Sequence, residues 1–168
     1  MSLSTYQMSV ELFVNMLTNL RSILVKAAAN AEARKLEPEV LERARLAPDM
    51  FALSRQVLLA ADFAKNSAAR LAGVEPPRFD DTEVKFADLI TRVDKTLDYL
   101  KTLTSAQFDG AATRHIKVPL RTRTLEMDGL PFLQKWVLPN FYFHVTTAYA
   151  ILRHNGVEVG KQDFLGGV

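Results

Sequence analysis

The chain has 168 residues, 21 Lys+Arg against 19 Asp+Glu, 48% hydrophobic residues and no cysteine, which excludes disulfide scaffolds, thiolate metal sites and cysteine nucleophiles. A formal charge of +2 is far from the basic balance of a nucleic-acid footprint, and no nucleic-acid partner is expected. The length suits a single domain over 1–168, and with no apolar run of about 20 residues and no basic leader before a cleavage site the chain reads as soluble and cytoplasmic, with no membrane partner.

In chain order, Ser4 or Thr5 can cap a first long helix running to about Ala33. Met8, Leu12, Phe13, Leu17, Leu20, Leu24 and Ala27 recur on it at the three-and-four spacing of one face. Glu37-Pro38 suits a short second start, because proline is tolerated in the first helical turn, and Pro48-Asp49 ends that turn and caps the next helix. The second long helix covers about Met50 to Ala72 and is closed by Gly73. The proline-broken stretch VEPPRFDD follows, and Asp81 or Thr82 opens a third helix whose stripe is Phe86, Ile90, Val93, Leu97, Leu100 and Leu103. Lys85, Asp88, Arg92, Asp94, Lys95 and Lys101 fall mostly off that stripe.

From Thr113 to Leu125 the helical period fails. His115, Lys117 and Pro119 alternate with Ile116, Val118 and Leu120, as in an extended edge element or short hairpin. Asp128-Gly129 marks a turn. The last helix follows, with Pro139 either kinking it or starting it, and ends at Gly156 in a left-handed cap. Four long amphipathic helices with short connections predict an all-α chain, an antiparallel four-helix bundle with a short extended insert before the last helix.

Chemistry has few carriers. His144 and His154 are ten residues apart on one helix, about 15 Å along its axis, too far to share an ion. Asn140 and His144 are four apart and can reach one metal or ligand. His144 lies at the margin of the stripe made by Phe141, Val145, Ala148 and Leu152, so it reads either as a core-edge histidine bonded to a neighbouring helix or as a ligand. On the second helix Asp62 falls opposite the stripe of Leu53, Val57, Ala60, Ala64 and Leu71, with Arg55 and Asn66, and reads as exposed. Gln56 and Ser67 sit nearer the core margin, where they can face a pocket or simply bond between helices. The basic residues Arg114, His115, Lys117, Arg121 and Arg123 read as a solvated edge that discourages strand pairing, and Trp136, Phe141, Tyr142, Phe143 and Tyr149 as core and interface aromatics. No GxGxxG, P-loop, HExxH or GxSxG motif occurs.

The run Asn140-Phe-Tyr-Phe-His144, followed by Ala150-Ile-Leu-Arg153-His-Asn-Gly156-Val157, resembles the last helix of the DinB-like (DinB/YfiT) superfamily of metalloenzymes. Arg70-Leu-Ala-Gly73 and the order of four helices extend the likeness, and HVTTAYAILRHNGVEVGKQDFLG looks like the ending of a domain-of-unknown-function family within it. The resemblance implies a four-helix bundle, often homodimeric, with a divalent metal held by one histidine on helix two and two on helix four. Position by position, His144 matches the second helix-four ligand, Asn140 stands at the first, and the helix-two ligand falls near Gln56 or Ala60, on a helix without histidine. A degenerate triad follows: no cofactor is expected beyond weak zinc or nickel at His144. The expected role is binding of an unidentified small molecule by Gln56, Asn140 and His144 between helices two and four, in a homodimer. The alternative is a divalent-metal-dependent transferase or hydrolase with His144 as a metal ligand, and a third reading is a dimeric stress or interaction protein without a small-molecule site.

Overall fold

The structure is a computed structural model that describes residues 3–80 and 84–167. It is mainly helical with one two-stranded sheet, as the periodicity predicts. The long helices are α1 (Leu12–Ala33), α3 (Leu53–Ala72), α4 (Phe86–Thr102) and α6 (Leu138–His154). Short helices α2 (Pro38–Glu42), α5 (Gly129–Phe132) and α7 (Lys161–Leu165) join or end them. Among the long helices, α1 packs on α4 and α6, and α3 packs on the same two.

The first helix starts as its sequence directs. Ser4 Oγ accepts the Gln7 backbone N–H at 3.1 Å and the Gln7 side chain accepts the Ser4 N–H at 3.0 Å, a reciprocal capping box. A π-helical turn, Gln7–Glu11, then leads directly into α1. Phe13, Leu17, Leu20, Leu24 and Ala27 are fully buried. The 27-residue run Gln7–Ala33 is long and apolar enough to cross a membrane by length and composition, contrary to the expectation that no such run exists. Burial of its apolar stripe against α4 and α6 accounts for that composition.

The helix α3 begins at Leu53 rather than Met50. Residues 46–50 form turns instead, held where the Leu53 N–H reaches Ala44 O at 2.9 Å and Arg45 Nη1 donates to Met50 O. Gly73 closes α3 with φ 73° and Gly156 follows α6 with φ 81°, both left-handed as predicted. α4 starts at Phe86, whose N–H donates at 2.7 Å to the buried Glu42 carboxylate on α2. The predicted cap, Asp81 or Thr82, lies outside the described residues.

The extended insert is a hairpin of β1 (His115–Pro119) and β2 (Thr124–Asp128), paired antiparallel with Ile116 opposite Met127 and Val118 opposite Leu125. Those four share one face, on which Ile116 and Leu125 are buried. On the other face Glu126 takes His115 and Lys117, each at 3.2 Å, so the alternation read from the sequence is the pleat itself. Asp128-Gly129 is not a free turn: Asp128 ends β2 and Gly129 begins α5. A second π-helical turn, Leu133–Val137, joins α5 to α6, and Pro139 sits in the first turn of α6. Proline has no N–H and its ring crowds the carbonyl four residues back, and the wider turn just before it relieves that clash without breaking the helix.

Candidate functional site

His144 faces α3 from the middle of α6. Its Nδ1 is 2.7 Å from Gln56 Oε1, while Gln56 Nε2 donates to Phe51 O at 3.2 Å. A backbone carbonyl can only accept, so the Gln56 amide must turn its oxygen toward the ring, and the imidazole must donate from Nδ1. Nε2 is then the lone-pair nitrogen. The ring stacks on Phe63 at 5.7 Å between centroids, and Phe143 meets it edge-on at 5.4 Å. Gln56 is 1% exposed and His144 8%, so a pairing that the sequence left open, interhelical bond or ligand, is at least an interhelical bond.

Burial, and secondarily the charge of Arg55, push the His144 pKa below the ordinary histidine value of about 6.5. The folded chain therefore resists a proton that the unfolded chain takes. Stability is fully present above about pH 6.5 and falls as the pH drops from there toward the lowered folded value. Thermal unfolding at about pH 7.5 and about pH 5 should show a larger loss of Tm for the native chain than for His144→Gln; equal losses would mean that His144 protonates without penalty.

Asn140 does not join this pair. It is half-buried, and its Nδ2 donates at 2.7 Å to Trp136 O one turn back along its own helix. Gln56 also lines a depression of about 190 Å³ with Asp49, Met50, Phe51 and Phe143. Phe51 and Phe143 are 56% and 54% exposed there, so the His144–Gln56 pair has an aromatic rim toward solvent. Among the described residues no three of His, Asp and Glu converge as ligands of one ion.

Asp62 corrects the helical-wheel reading. It is not a free surface charge: Arg92 Nη2 and Lys65 Nζ both reach its Oδ1 at 3.1 Å, and those cations are 1% and 4% exposed. Phe79 covers them, with Lys65 Nζ 4.4 Å and the Arg92 guanidinium 5.1 Å from its ring centroid. Neither cation lies on an apolar stripe. The wheel missed them because long stems can bury at a stripe margin when a carboxylate waits within reach, one turn back on the same helix for Lys65 and across the α3–α4 interface for Arg92.

The basic segment is mostly a solvated edge, as expected, with Arg114 the exception. Arg114 donates to the carbonyl oxygen of Leu71 and, more weakly, to those of Gln107 and Asp109, so its charge meets the C-terminal end of α3. His115 and Lys117 pair across the hairpin as described, and Arg121 and Arg123 remain exposed at its tip.

Residues 5–165 match the family described as Domain of unknown function (DUF1993). The chain is also similar to a solved structure, the crystal structure of a DinB family member protein from Shewanella denitrificans, with 45% identity over 97% of this chain and 92% of that one and a TM-score of 0.91. No curated protein matches it.

Proposed function

Since the chain belongs to the DUF1993 family, a DinB-like family of unknown function, we propose that it is a four-helix bundle that binds a small molecule between α3 and α6 with a degenerate metal triad. The observation that carries this reading is the hydrogen bond from His144 Nδ1 to Gln56 Oε1 at 2.7 Å. Gln56 stands near the helix-two position where the superfamily resemblance implies a histidine, and its amide oxygen fixes the His144 tautomer while burial and Arg55 favour the neutral ring, with Nε2 able to accept from a ligand's N–H or O–H.

The remaining donors suit a dication poorly. An ion at Nε2 would meet one imidazole, a Gln56 amide already engaged at both atoms, an Asn140 amide tied to Trp136 O, and the charge of Arg55 nearby. Zinc and nickel sites ordinarily gather three or four imidazole, thiolate or carboxylate groups. The reading is therefore one of binding through hydrogen bonds and aromatic walls.

The test is a small-molecule screen read by amide chemical shifts in the full chain. For a hit that shifts α3 and α6, Gln56→Ala and His144→Ala should each abolish the shifts, and Arg121→Ala and Arg123→Ala should leave them. The reverse pattern would move the site to the hairpin tip.

A further inference from the structure

A cavity of about 270 Å³ lies between the middle of α3, the hairpin and the π-helical turn that precedes α6, and neither Gln56, Asn140 nor His144 lines it. Phe63 separates it from His144, its ring stacked on the imidazole and tilted toward Trp136 at 6.4 Å. Trp136 and Phe132 form one wall, and Val118 to Leu120 of the hairpin close another.

Along α3, Asp62, Asn66 and Arg70 line the cavity at four-residue intervals, a polar row about 12 Å long. Its two ends differ. The Asp62 carboxylate is already held by Lys65 and Arg92. Arg70 is half-buried and spends one N–H on Asn66 O at 3.1 Å; Glu75 is the carboxylate whose charge it feels, and burial outweighs that charge in lowering its pKa. A guanidinium keeps its charge at any ordinary pH and presents a planar fork that matches a carboxylate in two parallel hydrogen bonds.

We propose that this cavity binds a small aromatic carboxylate, with the carboxylate on Arg70 and the ring against Phe63 and Trp136. The volume suits a single ring, below the range of about 300–1,000 Å³ that holds drug-sized ligands, and a mostly apolar wall with few convergent polar groups is the usual form of such a site. The site is separate from the one at His144, and either stands without the other.

Trp136 is the chain's one tryptophan, so its emission reports the cavity directly. Titration of the full chain with benzoate should change that emission saturably, and benzamide, the same ring without the charge, should bind at least about tenfold more weakly. Arg70→Gln should weaken benzoate by about tenfold or more and leave benzamide unchanged, and Arg70→Lys, which keeps the charge and loses the fork, should restore only part. Circular dichroism checks that each variant is folded, and the lysine variant serves if the glutamine variant is not. Arg121→Ala, outside the lining, should bind as the native chain does. The proposal is overturned by an unsaturable Trp136 response to benzoate, by equal binding of benzoate and benzamide, or by native affinity in folded Arg70 variants. Loss of the benzoate response in His144→Ala with Arg70→Gln intact would overturn it too, by moving the ligand across Phe63.

Discussion

Asp62→Ala is expected to destabilise the chain by about 3 kcal/mol or more, as breaking a buried ion pair from one side does. The reason is what it leaves behind. Arg92 and Lys65 are almost wholly buried, Phe79 covers both, and each is 3.1 Å from the same carboxylate oxygen. Removing the carboxylate takes from two desolvated cations the negative charge they share; Arg92 keeps a second acceptor, Asp80 O at 2.8 Å, and the better helix propensity of alanine returns only about half a kcal/mol. At this chain length Tm should fall by roughly 6–12 °C. Asp62→Asn, which keeps an oxygen acceptor and loses the charge, should fall between the two. Thermal and urea unfolding of the three chains check this, and a loss under about 1 kcal/mol for alanine would show that Asp62 is the pair's minor partner.

The second large effect is expected from Gly129→Ala. A Cβ built on Gly129 would lie 1.8 Å from the Ala111 carbonyl oxygen, 3.0 Å from its carbon and 3.2 Å from Leu71 Cδ2. Two of those atoms are backbone, so no rotamer change makes room. The start of α5 must instead back away from the 3₁₀ turn Ala111–Thr113 and from the end of α3. Overpacking of this kind costs about 1–3 kcal/mol, and the missing relief places the variant at the upper end. Because α5 runs through the π-helical turn into α6, the shift should also alter Trp136 emission before unfolding. An unchanged urea midpoint would show that the two segments separate freely.

Most of the architecture was legible because it rests on strong local signals. The stripe of Phe13, Leu17, Leu20, Leu24 and Ala27, the left-handed caps at Gly73 and Gly156, and the alternation from His115 to Leu120 each state a period or a conformation that few alternatives satisfy. The errors fall where a tertiary contact overrides the local one. Met50 looks helical, yet the bond from Leu53 N to Ala44 O closes a turn there; Asp128-Gly129 looks like a turn, yet Gly129 is where two backbones must pass closely.

The site was legible only in part. The i, i+4 spacing placed Asn140 and His144 on one side of a helix, and the wheel put Gln56 on the facing margin, which is enough to bring His144 and Gln56 together. It could not show that Asn140 would turn back to its own helix, since a side-chain amide four residues after a carbonyl has a local partner always within reach. The aromatics read from the sequence as core and interface residues largely form internal pairs. Phe141 meets Phe13, Trp136 meets Phe63 and Tyr149 meets Phe164, while Phe143 stays exposed.

The degenerate triad is tested most directly by the zinc and nickel content of the purified chain after dialysis, measured beside His144→Ala. Metal well below one ion per chain, the same in both proteins, is the expected result, because one imidazole with amides and a neighbouring arginine holds a dication weakly. Stoichiometric zinc or nickel in the native chain, lost in His144→Ala, would contradict it and favour metal-dependent transfer or hydrolysis at His144.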